Sequence, residues 1–324
     1  MPDLIGTILW PIKWVIEAIL VTFHSALDLI GLDPAAGLTW VLSIVCLVLV
    51  VRAALIPIFV RQIKSQRRML EVAPQLNKIQ DKYKCKKDQF SREAMSRETM
   101  ALYKDTGTNP LASCLPLLIQ MPIFFSLFSV LNEAKPQPDG SFREGVGMLT
   151  QELSAQFGSA SLFDVAPLRY SIQTALDAGN TTVVIIALVM VVIMTASQFI
   201  TQLQIMSKNQ SPEMKASPTY KQQRILLYIL PLVFAFSGFA FPIGVMFYWL
   251  TSNIWTMVQQ FIVIRNMPTP GSEAAFAREA RLAKKRQRRG ITVTEIEEPV
   301  AEPKKVQRVQ PVNKNRAKKS GNKK

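Results

Sequence analysis

The sequence predicts an all-α integral membrane protein, a five-transmembrane-helix bundle with an N-terminal interfacial helix and a cytoplasmic helical hairpin. Three observations predict it. Of the 324 residues 49% are hydrophobic, and they are gathered into blocks rather than dispersed along amphipathic elements. The blocks at 38–60, 111–131, 182–203, 225–241 and 243–264 each have the length that crosses a ~30 Å hydrocarbon core at ~1.5 Å rise per residue. Within a net charge of +15, the basic residues are concentrated in alternate connections, as the positive-inside bias requires. A soluble nucleic-acid-binding protein could carry the same charge, but not these blocks.

The N-terminal segment, residues 1–30, contains "LIGTILWPIKWVIEAILVTF". It lacks the basic start of a signal peptide, and Lys13 interrupts its apolar region. Lys13, Glu17, His24 and Asp28 recur along one helical face, which predicts an interfacial helix on the outer surface. A sixth span is the alternative, because the apolar length suffices.

The transmembrane core, residues 38–264, opens with a span that carries Arg52 roughly 5 Å past its midpoint. The connection that follows holds 12 Lys and Arg between Arg61 and Lys104, which places it in the cytoplasm. Within 61–107 the helical period of Met69, Val72, Leu76, Ile79 and Tyr83, the polar turn "KCKKDQ" and a second helix-forming stretch predict two short antiparallel helices. Asn109 and Pro110 suit the N-cap and first position of the second span. The connection 132–181 carries only Lys135, Arg143 and Arg169 against six acids, so it is external. The tail, 265–324, is cytoplasmic by alternation. "AREARLAKKRQRRG" can extend as a basic helix, whereas "EPKKVQRVQPVNKNRAKKSGNKK" has the composition of a disordered segment. That tail suits anionic lipid, at ~1 kcal/mol per basic residue, and equally the phosphates of ribosomal RNA.

Arg52 is the residue that raises a question of function. A guanidinium that snorkels ~6 Å still falls short of the inner interface, so it needs water or a polar partner at depth. The five blocks contain no Asp or Glu. They do contain ordered neutral polarity: Gln120 on the second span, Thr195, Gln198 and Gln202 on one face of the third, and Trp249, Ser252, Asn253, Thr256, Gln259 and Gln260 on the fifth. Most of it lies on the cytoplasmic side, which predicts a hydrated groove that opens inward with Arg52 as its fixed charge. Such residues also serve as hydrogen-bond glue between membrane helices.

No catalytic residue, cofactor or metal site is expected. His24 is the only histidine, Cys46, Cys85 and Cys114 are scattered, and there is no glycine-rich phosphate loop. Two classes of function fit a cationic groove: delivery of polypeptide into the bilayer, and transport of a small anion. Paired repeats and midplane acids, the usual marks of a transporter, are not evident.

"LYKDTGTNPLASCLPLLIQMPIFFSLF" at 102–128 and "FPIGVMFYWLTSNIWTMVQQ" at 241–260 resemble the YidC/Oxa-type membrane protein insertases. "VRAALIP" around Arg52, the charged hairpin and the order of spans agree, so the resemblance runs from about Trp10 to Arg265. It implies a non-enzymatic insertase and chaperone for nascent membrane proteins in the bacterial plasma membrane, acting alone or with the Sec translocon. Arg52 would correspond to the family's groove arginine, the hairpin would take part in substrate capture, and Tyr248 and Trp249 would line the exit for substrate helices. The large external domain of Gram-negative members is not found here, so a Gram-positive-type member is the expectation; it departs from many of those in having no lipoprotein-type cysteine near the N-terminus, which bears on lipid anchoring and not on the core activity.

Overall fold

The computed structural model describes residues 4–86, 88–108, 115–210, 212–215, 224–225, 228–229, 236 and 238–289. Its helices are α1 (Leu4–Leu29), α2 (Gly37–Tyr83), α3 (Gln89–Asp105), α4 (Leu115–Glu133), α5 (Gln151–Ser159), α6 (Ile172–Asp177), α7 (Thr181–Lys208), α8 (Pro212–Lys215), α9 (Ile243–Asn266) and α10 (Glu273–Arg288). One two-stranded hairpin, β1 (Ser161–Leu162) with β2 (Ala166–Pro167), pairs antiparallel with Leu162 opposite Ala166. The chain divides into two compact units between residues 278 and 279. By length and composition, Gly6–Leu29, Gly37–Ser65 and Thr181–Lys208 are helices that suffice to cross a membrane. The apolar part of α4, Leu118–Glu133, is shorter. The cap expected at Asn109 and Pro110, and about half of the block at 225–241, lie outside the described residues.

The helices pack through seams of three-and-four spacing. On α7 the buried stripe is Val183, Ala187, Met190, Met194, Ser197 and Thr201, and α9 packs most extensively against it while also touching α2 and α4. The hydrophobic core has a direction. It draws on Trp40, Ile44, Leu47 and Val48 of α2, Leu127, Val130 and Leu131 of α4, Val183 to Met194 of α7 and Ile243 to Tyr248 of α9. All of these belong to the end of the bundle where α2, α7 and α9 begin and α4 finishes. Past Val51, Met194 and Leu250 none of the described residues of α2, α7 or α9 joins this core.

A folded layer caps that same end. The connection 132–181 is not a bare loop: it carries α5, the β-hairpin and α6, each tied to a helix end. The Ile243 and Gly244 N–H groups, which open α9 without intrahelical partners, donate to the carbonyls of Tyr170 and Leu168, each at 2.9 Å. Gly37 lies so close to β1 that a Cβ there would stand 2.5 Å from the Ser161 carbonyl, and one at Gly158 would stand 2.3 Å from that of Ala134. Asn180 caps α7 by accepting from Val183 N at 3.1 Å, and its amide donates to Val165 O at 3.2 Å.

Lys13, Glu17 and His24 on the polar face of α1 are turned into the protein and only Asp28 is exposed, which departs from the usual disposition of a surface-lying helix. Lys13 pairs with Glu133 at 2.7 Å, and Glu133 also accepts from Ser129. Glu17 is fully buried and accepts from the backbone N–H groups of Val146 and Gly147 at 3.0 and 2.7 Å. His24 stacks on Trp40 at 3.9 Å between ring centroids, and its Nε2 donates to Pro34 O at 3.0 Å. The physical reason is that every one of these groups finds a partner in the cap or in the ends of α2 and α4, so burial leaves none of them unpaired.

The hairpin also differs in form from two short helices. Its first arm is the continuation of α2, a single helix of 47 residues. Residues 61–66 contain neither Gly nor Pro and consist largely of good helix formers, so nothing stops the helix at the membrane boundary. Asp88 caps α3 by accepting from Ser91 N at 2.9 Å, which holds its carboxyl below the usual aspartate range. Lys82 Nζ and Tyr83 Oη both donate to Glu98, at 2.5 and 2.9 Å, and tie the two arms together.

Two outcomes are expected. Replacing Glu17 by Ala takes the acceptor from the Val146 and Gly147 N–H groups and empties a buried site, so stability in detergent should fall by about 1–3 kcal/mol, with faster proteolysis at 143–150; unfolding at the wild-type temperature would remove this contact from any account of stability. The Lys82 and Tyr83 donors hold the Glu98 carboxyl below its ordinary range, and Glu98 in turn raises the Lys82 amine. The depressed acid loses its contribution as pH falls through its folded pKa, and the raised base loses its own as pH rises through the folded lysine value. Amide protection across α3, taken relative to the intrinsic exchange rate at each pH, should therefore be greatest between these limits and lower toward either extreme, and Glu98→Gln should flatten the acid limb.

Candidate functional site

Arg52 lies on α2 where the hydrophobic core stops. Its Nε and Nη2 both donate to Ser252 Oγ on α9, at 3.2 and 2.5 Å, and one hydroxyl has the two lone pairs needed. Ser252 is buried while Arg52 remains half-exposed. The guanidinium carbon stands 5.8 Å from the ring centroid of Phe59, seven residues further along α2 and therefore on the same face. Among the described residues no carboxylate lies within ion-pair range of Arg52. A fixed cation is thus held by one neutral anchor and an aromatic face, with guanidinium donors left over for another acceptor.

One turn toward the cap, Tyr248 is buried on α9 and its hydroxyl accepts from the side-chain amide of Gln120 on α4. Trp249, beside it, meets Phe124 at 5.5 Å and Phe241 at 5.7 Å between centroids. Phe124 also touches Phe128 and Tyr248, so an aromatic cluster joins α4 to α9 on the capped side of the arginine. Arg52, Ser252, Tyr248 and Gln120 therefore bring α2, α9 and α4 together at one level.

The remaining sequence candidates divide. Asn253 is buried and donates to Met194 O at 3.4 Å, bridging α9 to α7. Thr256 donates to Ser252 O at 2.8 Å within its own helix, and Gln259 accepts from Trp255 at 2.9 Å, so these two serve α9 itself. Thr195, Gln198 and Gln202 are half-buried and stand about a quarter turn from the packed seam of α7. The buried hydroxyls on α7 are instead Ser197 and Thr201, each returned to its own helix. Phe59 escaped the sequence reading, although its spacing of seven from Arg52 was the available signal.

Comparison with known proteins identifies the family. The family model described as 60Kd inner membrane protein matches residues 31–270. A membrane protein insertase YidC of Tropheryma whipplei (strain Twist) is 44% identical over 322 residues, 98% of this chain and 97% of that protein. One of Streptomyces avermitilis is 43% identical over 281 residues, covering 85% of this chain and 61% of the relative, and one of Bifidobacterium longum is 37% identical over 274 residues, covering 85% and 80%. With a family model spanning most of its length and a relative matched nearly end to end, the chain belongs to the 60Kd inner membrane protein family, the YidC/Oxa-type membrane protein insertases.

Proposed function

We propose that this multi-pass membrane protein inserts nascent membrane proteins into the bacterial plasma membrane through a hydrophilic groove that opens to the cytoplasm and holds Arg52. The observation that carries the reading is the direction of the core. Apolar packing seals the capped half of the bundle, whereas the other half has Arg52, Ser252 and Asn253 at its closed end and the half-buried Thr195, Gln198 and Gln202 along α7. The three relatives bear the name of membrane protein insertase, and the alternative of an anion transporter draws no support from them.

In physical terms the substrate is a polypeptide with a polar N-tail and one apolar helix. Its main barrier is carrying charged and polar groups through hydrocarbon, at several kcal/mol each. A wet groove that reaches the level of Arg52 shortens that path by about half the membrane. The guanidinium, already held by Ser252, attracts acidic tail residues in a medium less screened than bulk water. The apolar helix then leaves sideways past the aromatic face of α4 and α9, where Tyr248 and Trp249 stand, driven by burial at about 25 cal/mol per Å². Arg52, Gln120, Thr195, Gln198, Gln202, Tyr248, Trp249, Ser252 and Asn253 are the proposed substrate-binding set.

The same reading assigns places to the other parts. Five spans, with the fourth at 225–241, put the cap outside and the α2–α3 hairpin inside. The contacts of α1 through Lys13 with the end of α4, through Glu17 with the cap and through His24 with the start of α2, spread over about 16 Å of helix, support a helix that runs along the outer face. The hairpin makes the first contact with emerging chains. The basic tail, which α10 opens, lies in the cytoplasm against anionic lipid or the ribosome, and joint action with the Sec translocon is compatible with an open lateral face.

The test is insertion of a single-span protein with an acidic N-tail into liposomes that contain this protein. Arg52→Ala should lower insertion at least about tenfold, equivalent to ~1.4 kcal/mol of barrier, while Arg52→Lys retains most of it and neutralising the tail removes the dependence. Ser252→Ala should give a smaller loss, roughly two- to fivefold, confined to acidic tails because the charge stays and only its anchor goes. Equal insertion by wild type and Arg52→Ala would mean that the arginine is structural for such substrates.

A further inference from the structure

The tip of the β-hairpin is strained and apolar. Phe163 and Asp164 both have positive φ, 52° and 59°, the pair of left-handed residues of a type I′ turn. That turn suits Asn-Gly, and a bulky aromatic side chain there is an outlier that folding alone does not require. Phe163 is nonetheless 76% exposed, so it fills no core, and Val165 beside it is exposed as well.

The position of the tip is fixed by the helices beneath it. On one side Gly37, the first residue of α2, packs against the backbone of Ser161 and Leu162, closely enough to exclude a Cβ. On the other, Asn180 binds Val165 O while capping α7. These are the first residues of two of the helices long and apolar enough to cross a membrane. The start of such a helix lies at the level where hydrocarbon meets headgroups, so a hairpin clamped between two starts is held at that level. The turn that leads into α2 repeats the pattern. Leu29 and Ile30 are 88% and 73% exposed at the end of α1, just before Gly31 reverses the chain with φ 95°.

We propose that the Phe163 tip is a membrane anchor, inserting its ring and the Val165 side chain into the headgroup boundary of the bilayer beside α2 and α7. The occupant of this surface is lipid. The tip carries no basic residue, since "SLFDVAP" holds Asp164 as its sole charge, so the contact is apolar insertion and not attraction to anionic headgroups. Asp164, an exposed carboxylate whose burial in hydrocarbon is costly, stays toward water. The anchor would fix the height of the cap on the bundle, and it does not depend on how the Arg52 groove is used.

Single nitroxide labels on the full chain in liposomes test this, in a background with Cys46, Cys85 and Cys114 replaced by Ser. Phe163→Cys and Val165→Cys should collide with oxygen several-fold more often than with a water-soluble nickel complex, as a label at Val189→Cys on the apolar surface of α7 does. Asp164→Cys and the exposed-turn reference Asp139→Cys should show the reverse. Nickel-dominated collisions at 163 and 165 would overturn the anchor and leave the tip in water. A second arm separates anchoring from folding: Phe163→Asn with Asp164→Gly relieves the turn, so the thermal midpoint in detergent should hold or rise. A clear fall in that midpoint would show that the ring supports the fold instead, and would equally sink the proposal.

Discussion

A guanidinium inside a helix bundle must be hydrogen-bonded, and the organisation of this protein follows from how Arg52 meets that requirement. No carboxylate among the described residues approaches it. Two donors converge on Ser252 Oγ and the ring of Phe59 covers one face. A charge held this lightly is stable only where water or a visiting acceptor can reach the remaining donors, because a fully dry site would incur the several-kcal/mol cost of an uncompensated ion. The bundle therefore cannot be apolar throughout. Above Arg52 the side chains of Trp40, Ile44, Leu47, Leu127 and Met246 interlock, and at and below it the buried positions are mixed, with Ser252, Asn253, Ser197 and Thr201 beside Phe59, Met206, Val263 and Ile264.

Keeping one half loose places the burden of cohesion on the other half, and the cap answers it. The α9 start is satisfied by loop carbonyls of Leu168 and Tyr170, the α7 start by Asn180, and the α4 end by the pairing of Glu133 with Lys13. Glu17 extends the same principle to α1: a buried carboxylate is acceptable because two backbone N–H groups meet it, and Gly145 and Gly147 allow that approach where a Cβ would collide with Glu17 and Trp14. The ties at the capped end thus hold the starts of α2, α7 and α9 and the end of α4 to one folded layer.

The parts that sequence reasoning reached and missed differ in kind. A run of apolar residues declares an apolar helix wherever it is packed, so the start of α2 and the bounds of α7 and α9 were legible within about five residues, as was the basic helix after Arg265. The continuity of α2 through residues 61–66 was not legible, because the change from apolar to charged composition looks like an element boundary although every residue there is compatible with helix. The polar stripe of α1 was visible, but a stripe has the same period whether it faces water or protein, and only the partners Glu133, Val146, Gly147 and Pro34 distinguish the two.

What the sequence by itself determined is local and additive: the apolar lengths, the asymmetry of basic residues between connections, the depth of Arg52 along its helix, and the motifs that resemble a family. What only the tertiary structure decided is which polar groups meet. The period of a helix assigned Ser252, Asn253, Thr256 and Gln259 to one face alike, yet Ser252 receives the guanidinium, Asn253 crosses to α7, and Thr256 and Gln259 stay within α9. Hydrogen bonds act over about 3 Å and require direction, so their partners depend on where neighbouring helices bring their side chains, and no periodicity along one chain segment contains that information.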